Sequence, residues 1–337
     1  SVSAERIIQA IEIVNYAKKV GAKYIAHGST GAGNDQVRFD LIFQVMAPEM
    51  QIVTLIRDNQ LSREDEINYL KSEGIDIPWE KVQYSINQGL WGTSVGGAET
   101  LTSDLPLPDA AYPNQLTEKE PIKVELDFKK GELVGLNGTK SDAVSLIQQL
   151  QELAKKYAIG RDIHVGDTII GIKGRVGFEA AAPLILIKAH HLLEKHTLSK
   201  WQQFQKEQLA NFYGMQLHEG QYLDPAMRDI EAFMESSQER VSGKVFVELH
   251  PYRFELEGIR SDNDLMQTKF GSYGEMNTAW NADDKGLSIQ MAARELRYQW
   301  FDQLANEHQF DAILTAHHLN DQLETFLMNS LRATGPK

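Results

Sequence analysis

Cysteine is absent from this 337-residue chain. That absence excludes disulfides, thiolate zinc sites, iron–sulfur ligation and a cysteine nucleophile. Long apolar runs are missing as well. The longest, such as residues 180–187, fall well short of the roughly 18–20 residues that span a bilayer. Net positive charge is lacking: Lys+Arg 34 against Asp+Glu 47 leaves −13, which argues against broad binding to nucleic acid or to anionic membranes. No charged segment followed by an apolar core opens the sequence, so no signal peptide is expected, and the expectation is a soluble cytoplasmic protein with no membrane partner. The length predicts two or three domains.

What is present alternates between helix and strand. Ile7, Ile11 and Val14 share one face of a first helix, with Ser3 as a candidate N-cap. A strand at 23–26 follows, then a helix at 34–45, a strand at 51–56 and a helix at 63–71. This βα alternation predicts a parallel sheet with covering helices. Residues 81–121 are rich in Gly, Ser, Thr, Pro and Asn and are expected to form a long loop. Alternation at Ile122, Val124, Leu126 and Phe128 predicts a strand, turned at Lys129-Lys130-Gly131 into a second. Residues 141–157 read as a helix with an apolar stripe, and Thr168–Ile172 as a buried strand. Helices are expected at 183–196 and 201–213. A third runs from Asp224, with Pro225 at its first position, to near Gly243. Val245, Val247 and Leu249 alternate as a strand, and the stretch 287–337 reads as helix, strand (312–315) and helix. There is no internal repeat.

The sharpest chemical signal is the run from His27 through Gly28, Ser29, Thr30, Gly31, Ala32 and Gly33 into Asn34, Asp35, Gln36, Val37, Arg38 and Phe39. It sits where a strand is expected to end and a helix to begin. Glycines let backbone N–H groups approach a bound anion, and a helix N-terminus adds a favourable dipole. Asn34 and Arg38 share a helix face, Arg38 suits a carboxylate, and the Asp35 charge suits an amine. No Gly-Lys-Ser/Thr follows, so this is not a Walker loop, and no glycine stands at 36, so it is not the dinucleotide fingerprint. On spacing alone, a Gly-rich turn with a capping Asn is an equal alternative.

The run 26–39 resembles argininosuccinate synthase, in the variety found in Bacteroidetes-type bacteria. The likeness continues through 84–94, 171–179, 236–245 and Glu275-Met276-Asn277-Thr278-Ala279-Trp280, collinear over about residues 1–285. The resemblance implies a carbon–nitrogen ligase of arginine biosynthesis that condenses citrulline with aspartate, with ATP and Mg²⁺, through a citrullyl-adenylate. It implies that Ala26, His27, Gly28, Ser29, Thr30, Gly31, Ala32, Gly33 and Asn34 line the ATP site. It assigns Thr30, Asn34 and Asp35 to aspartate, and Ser3, Asn34, Arg38, Ser85 and Ser94 to citrulline, with Thr30, Asp35 and Arg38 as the catalytic set. It also implies a homo-oligomer, a tetramer in the family. Two positions depart from the family: Gly166, next to Asp167, stands in place of a citrulline-binding Glu, and Phe178 in place of a Tyr.

The family's opening strand and Ser-Gly-Gly-Leu-Asp-Thr-Ser phosphate loop do not occur in this sequence, so catalysis by this chain is expected to be impaired. After Gly286 the likeness changes. Residues 287–298 and 314–325 resemble tRNA(Ile)-lysidine synthase, with Asn320 and Ala333 at positions where that family prefers Asp and Gly. The tail carries 5 Lys/Arg against 6 Asp/Glu from Lys285 onward, so a tRNA-binding face is not expected. His190, His191 and His196 lack zinc-motif spacing, and His317-His318 could approach a nucleotide or stay partly solvated. Trp201, Phe204 and Phe212 are expected to form a core stripe.

The expected fold is therefore α/β. It comprises a truncated, Rossmann-like nucleotide-binding domain of the ATP pyrophosphatase kind with a remnant parallel sheet (1–76), an α+β synthetase and multimerisation domain (77–285) and a short α/β lysidine-synthase-like tail (286–337). The alternatives are a non-catalytic assembly or binding fragment and a lysidine-synthase-like tRNA-modifying enzyme.

Overall fold

The computed structural model describes residues 2–31, 33–75, 84–267 and 289–309. The chain divides into two compact units, Ser1–Lys269 and Phe270–Lys337. In the second unit the described element is a helix, Ile289–His308. The strand expected at 312–315, the helix after it and the pair His317-His318 lie outside the described residues.

The first unit opens with helix α1 (Val2–Val20). Ser3 therefore sits inside the first helical turn and is not its cap. Ile7, Ala10, Val14 and Ala17 recur at helical spacing and are buried against Ile25, Ile42 and Phe43. Strand β1 (Tyr24–Ala26) pairs in parallel with β2 (Gln51–Val53), and helix α2 (Asn34–Met46) forms the crossover between them. This is the expected remnant of a parallel sheet. The strand expected at 51–56 stops at Val53 because Thr54 turns the chain into a short helix, α3 (Leu55–Asp58). Its hydroxyl donates to Asp58 at 2.5 Å and its N–H at 3.2 Å. Helix α4 (Arg63–Ser72) starts with a capping box between Ser62 and Asp65.

The expected loop at 81–121 contains an antiparallel hairpin, β3 (Ser85–Gly89) and β4 (Gly92–Gly96), turned by Leu90-Trp91. Its Gly, Ser and Asn content hid the strands, because composition of that kind reads as loop. Gly92 has φ 126°, and a Cβ there would meet the Ala180 Cβ at 3.0 Å. Between β4 and Pro121 the chain makes two single 3-10 turns, Ala98–Leu101 and Asp109–Ala111, and is pinned by arginines. Arg175 donates to the carbonyls of Glu99 (2.9 Å), Thr102 (2.7 Å) and Leu105 (2.9 Å). Arg161 lies over the Tyr112 ring and pairs with buried Glu179 at 3.3 Å.

A five-stranded antiparallel sheet carries the main core, in the order β11 (Arg253–Arg260), β10 (Gly243–His250), β5 (Ile122–Lys129), β6 (Glu132–Leu136), β7 (Thr139–Lys140). Val124, Leu126, Val245, Val247 and Leu249 point inward at period two. They pack under α5 (Ala143–Ala154) and α6 (Ala181–Thr197), which contribute Leu146, Leu150, Ile185 and Leu193. Asp142 caps α5 by accepting from the Ser145 N–H, so the helix begins two residues later than expected. Helix α8 (Pro225–Gln238) starts at the Asp224-Pro225 signal but ends well before Gly243, which opens β10.

Two expectations fail here. Residues 168–172 are not a strand. They are the turn between β8 (Arg161–Asp167) and β9 (Lys173–Glu179), closed by Gly171 N–H to Thr168 O and by Thr168 N–H to Ile172 O, with Ile170 and Ile172 exposed. Trp201, Phe204 and Phe212 are not core either. They lie on α7 (Lys200–His218), which buries no residue, at 69%, 54% and 49% exposure. Their helical spacing defined a stripe, but spacing does not say what the stripe faces.

Two outcomes test this packing. Leu150→Ala removes a fully buried side chain and is expected to cost about 2–5 kcal/mol in chemical denaturation. His190 is partly buried beside Phe128 and bonded to Gln238 at 2.9 Å, and desolvation holds its pKa below the usual histidine value. The unfolded chain then binds the proton more readily, so stability is lost as pH falls through about 6.5. Melting temperatures across that range are expected to fall less for His190→Gln than for the unmodified protein.

Candidate functional site

The site grows from the joint between β1 and α2. Parallel pairing continues one residue past β1, where the His27 N–H donates to Val53 O at 3.1 Å. The chain then leaves the sheet, and a side-chain network fixes its path. His27 Nε2 bonds Asp40 Oδ1 at 2.8 Å, and Asp40 Oδ2 pairs with Arg57 at 2.6 Å. Arg57 also donates to Gln36 Oε1 at 3.1 Å, and Gln36 donates to the Gly31 carbonyl. The Ser29 N–H donates to His27 Nδ1 at 3.3 Å, so His27 carries its proton on Nε2. Its ring stacks on Phe39 at 5.5 Å. The loop is thus braced from α2 and α3.

Helix α2 begins after Gly33 with no side-chain cap. The N–H groups of its first turn are a ready donor set for an anion, aided by the helix dipole. Beside them lies a cavity of about 270 Å³ lined by Ser29, Thr30, Gly33, Asn34, Asp35, Arg38 and Asn87. Asp35 is gripped from two sides, by Arg6 at 3.0 Å and by Arg38 at 3.2 Å.

Arg38 is 3% exposed. Its Nε donates to the His218 carbonyl at 2.9 Å, Nη1 to Asp35, and Nη2 to His218 Nδ1 at 3.3 Å. Burial pulls its pKa below the usual guanidinium value while Asp35 pulls it back, and it stays cationic. Of its five N–H donors, these bonds use three, leaving one on each terminal nitrogen among the described contacts.

The second wall comes from distant sequence. Asn87 on β3 faces Ser94 on β4, and Ser94 faces Phe178 on β9. Ser85, Asn87 and Ser94 share a sheet face by alternation. The β8–β9 turn docks on α2, where the Ile169 N–H donates to Asn34 Oδ1 at 2.8 Å. Gly89 lets β3 lie close to α1, since a Cβ there would run into the Glu5 carboxylate. At Gly166, a Cβ would approach His164 Nε2 at 2.7 Å.

Of the sequence-derived set, Ser29, Thr30, Gly33, Asn34, Asp35 and Arg38 line one cavity. Ser85 and Ser94 lie on the face that carries Asn87 but do not line the cavity. Ala26, His27, Gly28 and Gly31 form or brace the loop behind it, Ser3 falls within α1, and Ala32 lies outside the described residues. Sequence reasoning missed Arg6, Asn87 and His218. Asn87 lay inside a motif already singled out, whereas His218 is 180 residues from its partner and carried no local signal.

Comparison with known proteins gives consistent matches. The arginosuccinate synthase N-terminal HUP domain matches residues 1–76, the arginosuccinate synthase C-terminal domain matches 84–298, and a PP-loop domain matches 265–337. Argininosuccinate synthase of Methanocaldococcus jannaschii is 37% identical over 278 residues, covering 82% of this chain and 70% of that protein. The Dictyoglomus turgidum enzyme of the same name is 40% identical over 268 residues, 79% of this chain and 68% of that protein. That of Pyrococcus furiosus is 36% identical over 271 residues, 79% and 66% respectively.

The bracing network makes its own prediction. Asp40→Ala leaves His27 and Arg57 without their shared acceptor and is expected to cost about 1–3 kcal/mol. It is also expected to speed hydrogen exchange of the amides between His27 and Gly33. Unchanged protection of those amides would mean that the loop holds itself.

Proposed function

The chain belongs to the argininosuccinate synthase family, ATP-dependent carbon–nitrogen ligases that join citrulline to aspartate in arginine biosynthesis, and we propose that the cavity at the start of α2 is where this chain seats its amino-acid substrates. The observation that carries the reading is the convergence of Thr30, Asn34, Asp35 and Arg38 on one hollow beside an uncapped helix N-terminus. The loop 26–34 takes the nucleotide, its N–H groups facing phosphate oxygens. Thr30, Asn34 and Asp35 hold aspartate, with Asp35 opposite the amine. Arg38 and Asn34 hold citrulline, with Ser85, Ser94 and Ser3 completing its contacts.

In the first step the ureido oxygen of citrulline attacks the α-phosphorus, the bond to the β-phosphate bridge breaks, and pyrophosphate leaves. In the second, the aspartate amine attacks the activated carbon, the carbon–oxygen bond to AMP breaks, and the amine proton is lost to solvent. Both steps depend on positioning and on stabilising phosphate charge. Mg²⁺ would enter on the phosphates of ATP. Asp35 is the sole carboxylate among the described lining residues, and both of its oxygens are engaged by arginines.

The proposed division is a nucleotide-binding part over 1–76, a synthetase and multimerisation part over 77–285, and a partial nucleotide-binding tail over 286–337. Exposed Trp201, Phe204, Phe212 and Met215 on α7 support a homo-oligomer. No described helix is long and apolar enough to cross a membrane, and the proposed location is the cytoplasm.

Calorimetry with the purified chain tests this site. Arg38→Met is expected to weaken citrulline at least tenfold, and Asp35→Asn to weaken aspartate by a similar factor. Affinities that survive both changes would move the substrates elsewhere. Binding of both amino acids with ATP but no release of AMP would favour a non-catalytic assembly role.

A further inference from the structure

The end of α7 meets α2 at one residue. His218 is the last residue of α7, and the chain reverses immediately after it through Glu219 and Gly220. Gly220 has φ 84°, and a Cβ there would sit 3.5 Å from the Arg38 Cα, so the reversal is pressed against α2. Terminal carbonyls of a helix carry partial negative charge and lack intrahelical donors. One of them, the His218 carbonyl, accepts from Arg38 Nε at 2.9 Å.

The His218 ring makes two further bonds that assign its tautomer. Arg38 can only donate, so Nδ1, at 3.3 Å from Nη2, must accept. The Asp167 carbonyl can only accept, so Nε2, at 3.2 Å, must carry the proton. Asp167 ends β8, directly before the turn whose Ile169 N–H binds Asn34. One imidazole thus ties the buried guanidinium to the turn that docks on Asn34, a residue of the cavity lining.

We propose that His218 is a positioning residue for the citrulline step: its carbonyl and Nδ1 hold the Arg38 guanidinium so that its two remaining N–H groups present a fork to the substrate carboxylate, and its Nε2–H locks the β8–β9 turn in the matching place. The inference rests on the assignment of Arg38 to citrulline made above. A guanidinium on a flexible stem loses side-chain entropy when it clamps a ligand, and pre-fixing it removes that cost from binding. His218 touches no substrate. It acts through Arg38 and the turn, which is why a residue 180 positions away in sequence belongs to the site.

The experiment compares His218→Phe, which keeps the ring and loses both side-chain bonds, with His218→Gln, whose amide can accept from Arg38 and donate to Asp167. Citrulline and ATP affinities are measured by calorimetry on the full chain, with melting temperatures and the Arg38→Met variant alongside. His218→Phe is expected to weaken citrulline roughly tenfold with ATP binding unchanged, and His218→Gln to return it to within about threefold. Citrulline binding unaffected by His218→Phe, an equal loss for ATP with a lowered melting temperature, or no recovery in His218→Gln would each overturn the proposal. If Arg38→Met also leaves citrulline bound, the assignment of Arg38 fails and not merely the role of His218.

Discussion

A buried cation organises this site. Taking an unpaired charge out of water is unfavourable by several kcal/mol, and pairing must offset it. Arg38, almost wholly removed from solvent, obtains that compensation from Asp35 on its own helix, with Arg6 holding Asp35 from α1, and from the C-terminus of α7. The direct partners of Arg38 tie α2 to α7, and the Arg6–Asp35 pair brings in α1. The same arrangement leaves one N–H on each terminal nitrogen of a side chain that lines the hollow.

Around that cation the architecture divides its tasks. The parallel pair β1–β2 aims a loop at the start of α2, and the His27–Asp40–Arg57–Gln36 chain of bonds keeps it there. The four-stranded sheet β3–β4–β9–β8 brings Asn87 to the cavity lining and sets the 168–171 turn against Asn34 on α2. Its other face is anchored by Arg161, Glu179 and Arg175 to the stretch before β5. The five-stranded sheet with α5 and α6 supplies the large apolar core. Affinity for an anion and bulk stability therefore come from different parts of one unit.

Much of the first 75 residues was legible in the sequence because local chemistry decided it. Ile7 and Val14 on one helix face, the strand running into His27 and the helix from Asn34 all follow from spacing and glycine placement. Asp224 and Pro225 were equally plain, since a cap is a local hydrogen bond. The β3–β4 hairpin was hidden because its strands are built of Ser, Asn, Thr and Gly, and tertiary pairing to β9 outweighs their weak preference. The apolar residues Ile169, Ile170 and Ile172 misled in the other direction, since two of them are exposed at a turn. Trp201 and Phe204 gave the right helix and the wrong environment. The tie between His218 and Arg38 is invisible to any window of sequence, because it depends on where α7 ends in space.

The most direct measurement is an experimental structure of the chain with citrulline bound. The account predicts the substrate carboxylate about 3 Å from the terminal nitrogens of Arg38, with Asn34 and Asp35 beside it and His218 still behind the guanidinium. Citrulline seated away from the start of α2, or an Arg38 side chain swung out of its contacts with Asp35 and His218 to reach it, would contradict it.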